Sequence, residues 1–239
     1  MKILFIFLLC YLIYYFKFVL RVNIDYKSFF RKGFKKIQNE YGLFCYTGKQ
    51  GSGKTYSAVK FCIDRKLATN AVIITNVTSF NLFSDTVFIT DIQELMNYVI
   101  NLIDNQESVF EAPNIIIFFD EIFTILEKNT RINKDILSFI SQLRKRGIIF
   151  VTTAQEWLEI NITFRRYVRY QCDTRMISFL NNAIIINEIN DGEQLKWDKD
   201  LNEYVAPRIS TKISKGNLSI VESYDTYETI KVSNNTSNR

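Results

Sequence analysis

The chain has 239 residues, 47% of them hydrophobic and 23% charged, which is a globular balance and excludes a disordered polyelectrolyte. Its net charge of +5 permits an anionic partner, nucleic acid or lipid, without requiring one. Histidine is absent, which excludes Ser-His nucleophiles, histidine general bases and common zinc sites. The four cysteines (Cys10, Cys45, Cys62 and Cys172) show no CxxC spacing, so no disulfide framework is expected and the folded part belongs in a reducing compartment.

The first element is ILFIFLLCYLIYYFKFVL, residues 3–20, with Lys17 its single charge. As one helix it would span about 27 Å, close to the hydrocarbon thickness of a bilayer. Its thirteen Leu, Ile, Phe and Val residues favour insertion. Lys17 lies near one end, where it can snorkel to the headgroups. A cleaved signal peptide would need small residues at a cleavage site, and no alanine precedes Ala58. The remaining alternative, a buried helix of a soluble protein, is the blander one. The pattern therefore predicts a single transmembrane anchor over residues 1–22. Basic residues follow it: Arg21, Lys27, Arg31, Lys32, Lys35 and Lys36. This predicts a cytoplasmic domain after the span and a basic juxtamembrane linker over 23–40. The run RKGFKKI, residues 31–37, fits anionic headgroups better than nucleic acid.

Apolar and amphipathic runs then alternate. GLFCYT (42–47), AVIITN (71–76), TVFIT (86–90), NIIIFFDE (114–121, with Pro113 at its entrance) and IIFVTTAQ (148–155) read as strands. KTYSAVKFCIDRKLA (54–68), TDIQELMNYVINLIDN (90–105) and NKDILSFISQLRKRG (133–147) read as helices. Thr90 with Gln93 predicts a capping box, and Asn133 an N-cap with Gly147 past the helix end. Continuous apolar strands alternating with helices predict an α/β fold, a mainly parallel sheet with helices on both faces. AIIINEINDGEQLKWDKDLNEYV (183–205) predicts antiparallel hairpin structure turning near Asp191 and Gly192. The expected division is thus an anchor, a linker, a folded domain over 41–206, and a weakly ordered polar tail over 207–239.

The residues that carry chemistry begin at YTGKQGSGKT, 46–55. Gly48, Lys49, Gln50, Gly51, Ser52, Gly53, Lys54 and Thr55 match GxxxxGK[ST], between a strand and a helix. Glycines let backbone N–H groups wrap an anion, and the helix start adds its dipole. The spacing predicts ATP held by Gly48–Tyr56, with Lys54 on the β- and γ-phosphates and Thr55 on Mg²⁺. In IIIFFDE, Asp120 supplies a second Mg²⁺ contact and Glu121 a general base for water. Gln155, at the end of FVTTAQ, is placed to bond the γ-phosphate or the attacking water. Arg144 and Arg146 in LRKRG suit a helix C-terminus by charge alone. In FRRYVRY, Arg165 or Arg166 can reach a neighbouring subunit's nucleotide as an arginine finger. An acid beside the Mg²⁺ aspartate favours hydrolysis over transfer to a hydroxyl. A small-molecule P-loop kinase, a conjugation-type or other membrane-bound P-loop NTPase, and a non-enzymatic membrane scaffold stay open.

YTGKQGSGKT, IIIFFDE and QLRKRGIIFVTTAQEWLEINITFRRYVRY together resemble the HerA–FtsK superfamily of P-loop ATPases, over residues 42–172. Within it the chain looks like viral genome-packaging ATPases and the zonula occludens toxin-like assembly ATPases of filamentous phages. The resemblance implies an ASCE/RecA-like P-loop fold and a homo-oligomeric ring, a hexamer, that moves DNA beside other viral assembly proteins. It implies Lys54 and Thr55 at phosphate and Mg²⁺, Asp120 at Mg²⁺, Glu121 at water and Gln155 as a sensor. It implies residence at a host inner membrane or an internal virion membrane. In the toxin-like proteins the membrane segment follows the ATPase domain, whereas here the apolar segment precedes it. YDTYET (224–229) is similar to tail motifs of such ATPases.

Overall fold

Strand after strand, odd and even residues part to opposite faces of one sheet. In a computed structural model that describes residues 2–24, 41–104, 114–122, 132–179, 182–222 and 224, the centre is β2 (Gly42–Thr47), β5 (Ile115–Phe119) and β6 (Ile148–Ala154). Leu43, Cys45, Ile115, Ile117, Ile148 and Phe150 face one core. Phe44, Tyr46, Ile116, Phe118, Ile149 and Val151 face the other. Both faces are covered, so these strands are apolar throughout, unlike the alternating strands of a one-sided sheet.

The first core is closed by α3 (Ile92–Asp104) and α4 (Lys134–Gln142), through Leu95, Met96, Val99, Ile136, Phe139 and Ile140. The second is closed by α2 (Lys54–Thr69), through Tyr56, Val59, Cys62 and Ile63. With β3 (Val72–Thr75), β4 (Val87–Phe88) and β7 (Val168–Phe179), six neighbouring strands run parallel in the order β7-β2-β6-β5-β3-β4. This is the expected mainly parallel sheet with helices on both faces. β6 stands between β2 and β5, so the strand that ends in Asp120 is not the direct neighbour of the strand that leads into the glycines.

Beyond β7 the sheet changes character. β8 (Asn182–Asp191) pairs antiparallel with β7, β11 (Arg208–Lys215) antiparallel with β8, and β1 (Val22–Ile24) parallel with β11. A separate hairpin joins β9 (Lys196–Asp198) to β10 (Glu203–Val205). The expected hairpin material is present, but β8 takes the preceding β7 as its partner. Asp191 and Gly192 turn the chain toward β9 instead. The polar tail expected from residue 207 starts with β11, whose RISTKISK turns Thr211 and Ser214 into the fold. Polar alternation was the signature of an annexed strand. Two short helices, α5 (Ile162–Arg165) and α6 (Leu218–Val221), follow β6 and β11 in the chain.

The N-terminal segment also differs from expectation. α1 (Lys2–Tyr14) gives way to a π-helical turn over Tyr15–Val19, and among the described residues no helix is long and apolar enough to cross a membrane. Phe5, Phe7, Ile13, Phe18 and their neighbours are nonetheless exposed. The basic linker beyond residue 24, Pro113, and the chain after Tyr224 lie outside the described residues. The cap of α3 is Asp91 rather than Thr90: its Oδ1 accepts the Glu94 N–H at 2.8 Å. Asn133 caps α4 as expected, accepting the Asp135 N–H at 3.0 Å, and Gly147 takes φ +67° beyond the helix.

Candidate functional site

The loop between β2 and α2 lies at the carboxyl ends of the parallel strands, the edge where open α/β sheets bind ligands. Gly48 is fixed by its N–H to the Gln155 carbonyl at 3.2 Å, and its φ is +148°. A Cβ there would collide with the Ser52 hydroxyl and stand 2.6 Å from the Thr174 carbonyl oxygen. Gly51, at φ +75°, would meet nothing with a Cβ, so its need for glycine is conformational. Gly53, at φ +84°, precedes Lys54, the first residue of α2. Ser52 Oγ is buried with no hydrogen-bond partner among the described residues. A hydroxyl left over inside a loop of this shape suits a ligand rich in acceptors.

Lys54 is buried to 8% exposure, and Thr55 Oγ1 lies 3.4 and 3.5 Å from the two carboxylate oxygens of Asp120. The expected pair of loop threonine and strand-tip acid therefore meets, across β6 in the sheet order. Burial pushes the Asp120 carboxyl above the usual range. The Thr153 bond opposes this, the Glu121 charge adds to it, and Lys54 and Thr55 oppose it. A buried carboxylate so placed gains from a cation.

Two residues that sequence reasoning passed over hold this acid. Asn76, just past β3, clamps the Asp120 backbone: its Oδ1 accepts the Asp120 N–H at 2.8 Å and its Nδ2 donates to the Asp120 carbonyl at 3.1 Å. Thr153, in β6, donates its hydroxyl to Asp120 Oδ1 and accepts the Glu121 N–H at 2.9 Å. Glu121 takes φ +53°, an unusual conformation for a non-glycine residue and one tied here to that bond. The available signals were a polar residue just past a buried strand for Asn76, and paired threonines in an otherwise apolar strand for Thr153.

On the other side of the loop, β7 and β8 present amides and hydroxyls around one acid, Asp173. Thr47, the residue before Gly48, donates to Asp173 at 2.5 Å and accepts from Gln171 Nε2 at 2.6 Å, and Gln171 accepts from Asn190 Nδ2. Asn187 accepts from both Ser57 (3.1 Å) and Thr174 (2.9 Å).

The other expected residues divide. Gln155 is exposed at the mouth, tied to the loop by its backbone carbonyl. Lys49 and Gln50 are exposed on the loop's outer side. Tyr56 turns its ring into the core and accepts the Asn217 N–H at 2.7 Å. Arg165 is not available as a finger. It is 1% exposed, bonds the Tyr204 carbonyl at 2.9 Å and Glu203 at 3.1 Å, and stacks against Trp157. It anchors the β9–β10 hairpin, a role its helix-end position did not reveal. Arg166 is exposed. Arg144 pairs with Glu193, and Arg146 bonds Gln142 at 3.0 Å.

A glycine loop from a central parallel strand into a helix, with an acid strand one place removed across a threonine-bearing strand, defines a P-loop NTPase fold. The family model described as zonular occludens toxin (Zot) matches residues 42–179. The chain belongs to the Zot family. Its apolar segment thus precedes the family domain, as read from the sequence. The N-terminal domain of zonular occludens toxin from Neisseria meningitidis has a similar fold, with a TM-score of 0.50 and 15% identity over 78% of this chain and 100% of that one. The genome packaging NTPase B204 from Sulfolobus turreted icosahedral virus 2, in complex with ATP-gammaS, gives a TM-score of 0.47 and 10% identity, over 72% of this chain and 100% of that one. The flagellar accessory protein FlaH from Methanocaldococcus jannaschii gives 0.41 and 11%, over 73% and 88%. No curated protein matches the sequence.

Proposed function

We propose that this protein is a membrane-attached, Mg²⁺-dependent ATPase that drives DNA movement during phage or virus assembly, by packaging or extrusion. The observation that carries the reading is the meeting of Thr55 and Asp120 beside buried Lys54, at the open end of the sheet. The donor set fits Mg²⁺, a hard cation that takes oxygen ligands and is held by one or two protein oxygens together with substrate phosphates. Thr55 Oγ1 and the Asp120 carboxylate would hold it, and bound there it would offset charge on the phosphates. Lys54 places its ammonium against the β- and γ-phosphates, and the N–H groups of the loop add donors. Glu121, held by Thr153, accepts a proton from water. Gln155 orients that water from the mouth of the site.

Membrane attachment rests on the exposed apolar surface of α1 and on the basic residues that follow it in sequence. DNA as cargo rests on the packaging and assembly ATPases that the sequence resembles. A hexameric ring rests on the same resemblance, and Arg166, exposed where Arg165 is buried, is then the finger that reaches a neighbour's nucleotide.

The test is ATP turnover by the full chain in detergent micelles, with and without single- and double-stranded DNA, alongside the mass of the assembly. Turnover should rise with DNA and fall steeply with salt. Lys54→Ala should abolish it. Glu121→Gln should lose at least about 100-fold in turnover while retaining bound ATP. ATP consumed only with a small hydroxyl acceptor would replace this reading with a kinase, and no turnover in any assembled state would leave a scaffold.

A further inference from the structure

The chain after β11 does not leave the molecule. Gly216 donates its N–H to the Ala183 carbonyl at 2.7 Å, and a Cβ on Gly216 would stand 3.1 Å from the Ala183 side chain. The next residue, Asn217, donates its N–H to the Tyr56 hydroxyl at 2.7 Å. Tyr56 directly follows Thr55 in the first turn of α2. Ile220 is then fully buried and Tyr224 is 7% exposed, both in the core that α2 shares with Tyr46 and Phe44. Burial pushes the Tyr224 phenol well up, and the charges of Asp120 and then Tyr56 push it further. Tyr224 opens the YDTYET run, which the chemistry of the site left without a role.

Geometry explains why this placement matters. Thr55 Oγ1 and Asp120 belong to different elements, and their 3.4 to 3.5 Å separation is too long to be held by a strong bond of their own. Asp120 is fixed on its own side by Asn76 and Thr153. The first turn of α2 is tied on its side by the Asn217–Tyr56 bond, with Ile220 and Tyr224 buried in the same core as Tyr56.

We propose that Tyr224, with Asn217, is a positioning residue that holds the first turn of α2 so that Thr55 stays opposite Asp120 and the pair can take a divalent cation. This deepens the ATPase reading and rests on it. The aromatic body of Tyr224 supplies the packing that the turn leans on, and the Asn217–Tyr56 bond fixes its rotation. A purely structural role would lower stability and all ligand binding together. A positioning role affects Mg²⁺ first.

The experiment titrates Mg²⁺ against ATP turnover in the full-length chain in detergent micelles, and separately measures binding of a fluorescent ATP analogue in EDTA and the melting temperature. Tyr224→Ala should raise the half-saturating Mg²⁺ concentration about five- to tenfold, with metal-free nucleotide binding changed less than about twofold. Tyr224→Phe should restore the wild-type Mg²⁺ curve. Tyr56→Phe, which removes the acceptor of Asn217, should raise half-saturation about two- to threefold and decides the matter alone if Tyr224→Ala does not fold. Unchanged Mg²⁺ curves in an active protein overturn the proposal, as do parallel losses of Mg²⁺ response, metal-free binding and melting temperature. An inactive wild type that binds no nucleotide overturns the ATPase reading instead, so the two failures are told apart.

Discussion

The two flanks of the phosphate loop are built from different chemistry. Toward β6 and β5 stand Asp120 and Glu121, held by Thr153 and Asn76. Toward β7 and β8 stand Thr47, Gln171 and Asn190, a hydrogen-bond chain that ends on Asp173. One flank places charge where the proposed Mg²⁺ and water would sit. The other shapes the loop, since the Thr174 carbonyl fills the space a side chain on Gly48 would take. Substitutions on the first flank should therefore show in turnover, and those on the second in stability.

The widest separation of the two readouts is expected at Asp120→Asn. Turnover should vanish, while in Mg²⁺-free buffer the melting temperature should rise by about 3 °C, because a buried charge is removed and its oxygen acceptor kept. The same burial sets a pH trend. The folded pKa of Asp120 lies above its unfolded value, so its contribution favours folding below the usual carboxylate range. That contribution is lost as pH rises through the raised pKa, which metal-free thermal melts across acid and neutral pH would show. Next is Gly48→Ala, where the new methyl meets the Thr174 backbone; ATP-analogue binding should weaken at least about 100-fold. Thr153→Val should cost about tenfold in turnover, near 1.4 kcal/mol, with Glu121 loosened from its φ +53° conformation. Thr47→Val, the mirror test on the other flank, should lower unfolding stability by about 2 kcal/mol in a denaturant titration. Its turnover should stay within about threefold of wild type. Equal effects of Thr153→Val and Thr47→Val on turnover would erase the distinction between the flanks.

Local rules made one flank legible in the sequence and hid the other. β2, β5 and β6 read clearly because both sheet faces are buried and each run is apolar throughout. The glycines, Lys54, Thr55 and Asp120 stand out because the P-loop pattern sets residue types at fixed spacing. RISTKISK reads as tail because it is polar, whereas at its annexed position pairing with β8 decides the conformation. Arg165 reads as a free cation in sequence because its partners, Glu203 and Tyr204, lie almost forty residues away. Asn76 and Thr153 act through contacts between strands, which no spacing within one strand announces. The cap of α3 lies one residue later than the Thr90–Gln93 pattern suggests, since Asp91, a stronger acceptor, takes the Glu94 N–H.

The pairing of β1 with β11 joins the two ends of the folded chain at one sheet margin, Val22 opposite Thr211 and Ile24 opposite Ile213. Trimming the apolar N-terminus to improve solubility therefore has a boundary. A cut before Arg21 leaves the margin covered, whereas a cut that starts the protein at Tyr41 bares the outer rim of β11. Arg208, Lys212 and Lys215 would then be the guards left on that strand against self-association, so the shorter fragment should be the more prone to clump at high concentration.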